Sequence, residues 1–233
     1  MKIGLIGYGK MGHAIERMAA LRKHTVEWKV DAEQAALLPT LLPEVDVAIE
    51  FTQPEVAYHN VYTCLQNHTP VICGTTGWLE RKAAIDQYCL QQEGTFFYAT
   101  NFSLAMQLFF KLNRLLATYL SLDDFKITIE ETHALTKKDK PSGTALRIVE
   151  NITETTQHQK ETSPTSVRAI PILSHRVPDS MGQHVVRYSS PLEEITLAHL
   201  TKSRDSLAQG VILVAEWLQD KKGVLTMDDF LAE

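Results

Sequence analysis

The sequence predicts an α/β protein: a parallel sheet with helices on both faces, then a second unit with a mixed, mostly antiparallel sheet. Three observations predict this. Short apolar runs alternate with segments of helical spacing over residues 1–102. A glycine turn joins the first such run to the first helix. Beyond residue 165, apolar runs follow one another with turns between them, as paired strands do.

Taken in order, residues 2–6 read as a strand, Gly7-Tyr8-Gly9-Lys10-Met11-Gly12 follows at once, and residues 13–21 have helical spacing. This is GxGxxG in the setting its chemistry needs, strand then turn then helix, and it makes the sheet Rossmann-type. Gly7 allows the tight turn, Gly9 lets a pyrophosphate approach the backbone, and Gly12 lets the helix pack on the strand. Residues 25–30 read as the second strand, with Asp31 at its end. Asp31 lies 31 − 12 = 19 positions after Gly12, and an acid bonding the adenosine ribose is expected ~20 residues on.

Residues 45–51, 69–73 and 95–99 read as further strands, and residues 55–67 and 78–91 as helices between them. Ligands of such sheets bind outside the carboxyl ends of the strands. The turns at Phe51-Thr52, Gly74-Thr75-Thr76 and Ala99-Thr100-Asn101-Phe102 therefore belong to the expected cofactor rim. Each turn taken alone is equally explained by residue types that suit turns.

Residues 103–120 read as a long amphipathic helix capped by Ser103, with Leu104, Leu108, Leu112, Leu115 and Tyr119 facing the core. An alternating strand is expected over residues 125–129. The run from Glu130 to Leu146 then concentrates His133, Lys137, Lys138, Lys140 and a Pro141-Ser142-Gly143-Thr144 turn. Ser142 is placed to cap a helix over residues 144–150. A helix start offers free N–H groups and a partial positive charge, so the run reads as a carboxylate or phosphate receiver beside a proton-carrying histidine.

Residues 153–164 are polar and read as a loop, and 166–172, 184–189 and 194–200 as strands, with a turn at 179–182. Residues 203–218 read as a helix and 223–230 as a short strand and turn. His175, His184 and His199 match no metal-ligand spacing, so no metal is expected.

Composition narrows the function classes. The chain has 233 residues, 44% hydrophobic and 22% charged, as a soluble globular protein has. A net charge of −5 argues against non-specific nucleic-acid binding. No window has the length of a membrane span, and the N-terminus lacks the apolar core of a signal peptide. Cys64, Cys73 and Cys89, scattered and without a CxxC, suggest reduced thiols in the cytoplasm.

Together the motifs resemble the 4-hydroxy-tetrahydrodipicolinate reductase (dihydrodipicolinate reductase) family. The resemblance covers most of the chain. It rests on residues 7–12, Ile49-Glu50-Phe51-Thr52, Gly74 to Gly77, Asn101-Phe102-Ser103, Glu131-Thr132-His133, Lys137 with Pro141 to Ala145, and the closing residues 223–231. It implies a dinucleotide-binding domain over 1–102, completed by 205–233, and an inserted substrate-binding and oligomerisation domain over 103–204 whose sheet builds a homotetramer.

By the same resemblance, His133 and Lys137 are catalytic, and Gly143 and Thr144, with Ser142, bind a substrate carboxylate. The cofactor positions are Gly7, Tyr8, Gly9, Lys10, Met11, Gly12, Asp31, Phe51, Thr52, Gly74, Thr75, Thr76, Ala99, Thr100, Asn101, Phe102 and Arg204. The expected substrate is a small cyclic dicarboxylate. NADH is the expected cofactor, with NADPH usable, because Asp31 opposes a 2′-phosphate and Lys10 compensates only in part. Ala134 departs from the family pattern, which has a second histidine there, and the run around 170–178 is also altered. Two other readings stay open: another nicotinamide-dependent dehydrogenase with an inserted domain, and a non-catalytic dinucleotide-binding regulator. The first would lack Lys137 with the Pro-Ser-Gly-Thr turn, and the second would need neither His133 nor Lys137.

Overall fold

A computed structural model describes residues 1–120, 124–159 and 170–232. The chain divides into two compact units, Met1–Leu104 with Arg204–Glu233, and Ala105–Ser203.

The first unit is a six-stranded parallel sheet. Its strands are β1 (Lys2–Ile6), β2 (Thr25–Val30), β3 (Val47–Glu50), β4 (Val71–Cys73), β5 (Thr95–Tyr98) and β10 (Gly223–Leu225). They stand in the order β10-β5-β4-β3-β1-β2. Strand alternation sends successive side chains to opposite faces, and the core divides accordingly. Ile3, Leu5, Val47, Ile49, Ile72 and Phe97 face helices α1 (Lys10–Leu21) and α7 (Asp205–Trp217). Ile6, Val30, Ala48, Val71, Cys73 and Phe96 face the other side, against α3 (Pro54–Gln66) and α4 (Lys82–Gln91). A single-turn α2 (Leu38–Leu41) and a closing α8 (Met227–Phe230) complete the unit.

The chain leaves β1 toward β2 on one side and returns to β3 on the other. That reversal is the switch point at which open α/β sheets bind ligands, outside the carboxyl ends of their strands.

In the second unit a four-stranded sheet, order β7-β6-β8-β9, carries helices α5 (Leu104–Tyr119) and α6 (Gly143–Gln159). Strand β6 (Lys126–His133) pairs parallel with β7 (Ile172–Arg176) and antiparallel with β8 (Gln183–Ser189). Strand β9 (Glu194–Leu200) pairs antiparallel with β8. The sheet is therefore mixed and mostly antiparallel, as expected. Ile127, Ile129, Val186 and Tyr188 build its core with Phe109 and Phe110 of α5 and Ile148 and Ile152 of α6.

Four expectations need correction. The strand expected to stop at 129 runs to His133, because a period-2 pattern of burial continues through Ile127, Ile129 and Glu131. The polar segment expected as a loop from 153 is helical through Gln159, while 160–164 lie outside the described residues. Isoleucine 152 is buried and the helix propagates past it. Of the strand expected at 166–172, residues 166–169 lie outside the described residues, and the strand that forms is Ile172–Arg176.

The last correction concerns α5. Leu108, Leu112, Leu115 and Tyr119 are exposed, and Met106, Phe109, Phe110, Asn113 and Ala117 are buried instead. The helix has two apolar stripes, and the one with two phenylalanines removes more area from water.

Candidate active site

The first unit places the expected cofactor residues on one rim. Gly7, Phe51, Gly74 and Ala99 each follow a strand, and each donates its N–H to the neighbouring strand's carbonyl. The pairs are Gly7 to Val30 (2.8 Å), Phe51 to Ile6 (2.8 Å), Gly74 to Glu50 (3.0 Å) and Ala99 to Cys73 (3.3 Å). Gly7 has φ +92°, and a Cβ there would lie 2.1 Å from the Phe51 carbonyl oxygen. A Cβ on Gly12 would lie 2.7 Å from the Gly7 carbonyl oxygen. By contrast, a Cβ on Gly9 would meet no protein atom within 4 Å. That glycine keeps clear a space that protein does not fill, at the start of α1, and this fits a bound pyrophosphate.

Around this turn the side chains are fixed. The Tyr8 hydroxyl donates to Glu16 and accepts from Lys29 at 3.2 Å. Lys10 is exposed at the first turn of α1, and Met11 packs on the core. Asp31 is exposed past β2, with one carboxylate oxygen accepting the Glu33 N–H at 3.1 Å. The Thr52 N–H donates to the Thr75 hydroxyl at 2.8 Å. Phe51 and Phe102 have ring centroids 5.8 Å apart. Thr75, Ala99 and Phe102 are buried and support the rim from beneath, whereas Thr76 and Thr100 are exposed. Asn101 accepts the Ser103 N–H at 2.8 Å. Arg204 is exposed just before α7.

In the second unit, His133 ends β6. The register sets Arg176 beside it and His184 opposite Glu131. The His133 and His184 rings are 5.1 Å apart. Gly182 has φ +130°, and a Cβ there would come within 3.1 Å of the His133 ring. A larger residue would displace the imidazole. Burial pulls the His133 pKa below the usual histidine value; nearby Glu131 opposes this, and Lys137 and Arg176 add to it. His184 is pulled further, to about 4, chiefly by burial, so it is neutral near pH 7.

Ser142 caps α6 as expected: its hydroxyl accepts the Ala145 N–H at 3.2 Å. The Ser142 N–H, however, is not left for a ligand. It donates to both Glu131 carboxylate oxygens at 3.1 Å. A fully buried carboxylate thus holds the N–H that was expected to face substrate. Gly143 and Thr144 remain at the helix start, and a Cβ on Gly143 would meet nothing within 4 Å. Lys137 is a third exposed and pairs with Asp139 at 2.9 Å. That pairing, with the Gly143 N–H adding to it, lowers the Asp139 pKa.

Four residues of this cluster take no site role from the sequence: Glu131, Arg176, Gly182 and His184. The signal for Glu131 was available, since the alternation Ile127, Ile129, Glu131 puts a carboxylate on the core face. Glu131, His133 and His184 bring three ligand-type atoms within 4.8 Å of one another, the one such group among the described residues. The Arg176 guanidinium already lies 3.3 Å from this carboxylate, so a cation is in place beside the group.

Comparison with known proteins gives a consistent result. Residues 1–102 match the family model for dihydrodipicolinate reductase, N-terminus, and residues 105–231 match the one for dihydrodipicolinate reductase, C-terminus. The chain is 39% identical over 238 residues to 4-hydroxy-tetrahydrodipicolinate reductase of Christiangramia forsetii, spanning 100% of this chain and 98% of that one. It is 34% identical over 203 residues to the Methanosarcina barkeri enzyme of the same name, spanning 83% and 76%. Dipicolinate-bound dihydrodipicolinate reductase from Paenisporosarcina sp. TG-14 superposes with a TM-score of 0.79 over 97% of each chain. At 22% identity, that likeness speaks for the fold alone. The chain thus belongs to the dihydrodipicolinate reductase family and is an oxidoreductase that reduces 4-hydroxy-tetrahydrodipicolinate in lysine and diaminopimelate biosynthesis.

Proposed function

We propose that this reductase uses His133 as its proton donor, Lys137 as a cationic partner, and the helix start at Gly143 and Thr144 to hold a substrate carboxylate. The observation that carries this reading is the placement of His133. It is a half-buried imidazole at a strand end, in one network with the turn that begins α6.

The nicotinamide, when bound, supplies the hydride. The chain's own residues supply position and charge. At Gly143 and Thr144 the positive end of α6 suits an anionic oxygen, and a substrate carboxylate would take the place of Asp139 at the Gly143 N–H. Lys137 stabilises negative charge developing on the substrate. His133 gives a proton to the ring as reduction proceeds. Burial lowers its pKa in the free protein, and an incoming dicarboxylate pushes that pKa back up by adding negative charge nearby, which favours the protonated ring that donates. His133→Gln should lower kcat by about 10²-fold or more while leaving the dissociation constant of the dinucleotide unchanged. Cofactor oxidation with the freshly made cyclic substrate, together with fluorescence titration of NADH, measures both. Native turnover by the purified variant removes His133 from the mechanism.

For the cofactor, the reading is NADH preferred and NADPH usable. Asp31 supports it: an exposed carboxylate repels a 2′-phosphate and bonds free ribose hydroxyls. Ala32 beside it offers no cation, and Lys10 at the glycine turn compensates only in part. Paired titrations with the two dinucleotides test this, and a strong NADPH preference would overturn it. A cytoplasmic homotetramer is proposed from the family resemblance. No helix among the described residues is long and apolar enough to cross a membrane.

A further inference from the structure

Glu131 is completely buried, with no exposed surface at all. A buried carboxylate persists only when it is well partnered, and the partners of Glu131 come from every piece of the site. The Ser142 N–H, at the start of α6, donates to both of its oxygens at 3.1 Å. Two Arg176 nitrogens from β7 donate to one oxygen at 3.3 Å. The His133 ring nitrogen lies 3.4 Å from the other oxygen, at ion-pair distance but without the alignment of a hydrogen bond. His184 of β8 stands 3.9 Å away and touches the Ser142 hydroxyl at 3.3 Å.

Arg176 extends the same network to the loop that carries the lysine. Its Nε donates to the Lys137 carbonyl at 3.3 Å, and another nitrogen donates to the Asp139 carbonyl. A third bond, 2.8 Å long, goes to the His175 carbonyl. The planar guanidinium has five donors in a fixed fork, so it can fasten a carboxylate and a loop at once, which a lysine cannot.

We propose that the buried Glu131–Arg176 pair is the positioning device of this site: Glu131 sets the His133 ring and the start of α6, and Arg176 sets the Lys137 loop against the same carboxylate. Neither residue is placed in contact with substrate. The inference rests on the reading of His133 as proton donor. The charged and titratable groups around His133 are Glu131 on its own strand, Arg176 on β7, His184 on β8, and Lys137 and Asp139 in the loop. Glu131 and Asp139 favour the protonated ring, and Lys137 and Arg176 oppose it. Glu131 accepts its bonds as an anion: burial raises its pKa, but the bonds from Ser142 and Ser174 and the nearby His133 outweigh that and leave it below the usual value.

The test compares the full-length wild type with Glu131→Gln, Arg176→Lys, His133→Gln and the double variant Glu131→Gln/His133→Gln. Steady-state kinetics across pH and NMR titration of the His133 ring are the readouts. Glu131→Gln removes the charge that favours protonated His133, so the ring should titrate at lower pH. A proton donor works in its protonated form, so activity should begin to fall at lower pH than in the wild type. Its kcat should drop on the order of 10²-fold, as misplacement of a catalytic group by about an ångström does. In the His133→Gln background the same change should cost kcat little more, because the two residues act as one unit. Arg176→Lys keeps a cation opposite Glu131 but loses the carbonyl bonds, so kcat should fall while the His133 titration barely moves.

A Glu131→Gln protein with native kcat and an unmoved His133 titration overturns the proposal. So does an equal loss of kcat with and without His133. If Glu131→Gln does not fold, Arg176→Lys decides alone, and native kcat there overturns the proposal. Failure of the underlying reading looks different: His133→Gln itself then turns over normally.

Discussion

Gly7, Phe51, Gly74 and Ala99 are tied to neighbouring strands by their own backbone N–H groups. In the second unit, His133, the Lys137 loop and the start of α6 are tied by the side chains of Glu131 and Arg176. The first arrangement fixes where the chain runs and leaves most side chains replaceable. The second fixes side chains directly, so single polar substitutions reach the proposed proton donor. A backbone-built rim is sensitive to added Cβ atoms, and a side-chain-built cluster is sensitive to lost charge.

The largest effect that separates the two is expected from Lys137→Ala. Lys137 is a third exposed and sits outside the buried pair, so its loss should leave folding intact. If Lys137 stabilises the transition state as proposed, its removal should lower kcat by about 10²–10³-fold, with the dinucleotide bound as before. Native turnover would show that the cluster does not need its lysine.

A smaller and opposite pattern is expected from Gly9→Ala. Space is open at that position, and its backbone is extended, φ −85° and ψ −155°. Stability in urea should therefore stay within about 1 kcal/mol of the parent, since replacing glycine where alanine fits is neutral or mildly stabilising. The dinucleotide should nevertheless bind at least tenfold more weakly, about 1.4 kcal/mol, because the methyl group occupies the approach to the backbone. Unchanged binding would mean that the space serves nothing.

The smallest effect is expected from Ala134→His. Ala134 is half-buried, and its carbonyl accepts the Lys137 N–H at 3.1 Å, so it begins the lysine's turn. A donor restored there should lower KM for the substrate roughly tenfold, the low end for a hydrogen bond to a charged group, about 1.5 kcal/mol. The kcat should stay within a few-fold. An unchanged KM would mean another group already holds that carboxylate, and a collapse of kcat would mean the cluster has been rebuilt around the smaller residue.

The same contrast explains what the sequence made legible. The rim is local: a glycine spacing, an acid 19 positions after Gly12 and turns after apolar runs all sit within short windows. The cluster is non-local. Arg176 reaches Glu131 across 45 positions, and Ser142 meets His184 across 42, so only strand register brings them together. His133 and Lys137 are still legible as a pair, because they lie in one short run. Glu131 belongs to the same motif but takes no role from the sequence, because the strand expected there stops before the residue whose burial matters. The exposed leucines of α5 depart from expectation for a related reason. Helical spacing shows that a stripe exists, and the choice between two stripes is made by what the sheet offers them.

Cys64, Cys73 and Cys89 are all fully buried free thiols, and all three lie within Met1–Leu104. Burial raises their pKa values, to about 11 for Cys89 and well above the usual thiol value for Cys64 and Cys73. Only a thiolate attacks an alkylating reagent, so the native chain should be almost inert to one. Labelling then counts the moments at which the dinucleotide-type sheet opens, with free energies of opening anywhere from near zero to the global value. The unit holding His133 contains no cysteine and contributes no signal. Every substitution made there can thus be followed by a clock that runs only when the other unit comes apart.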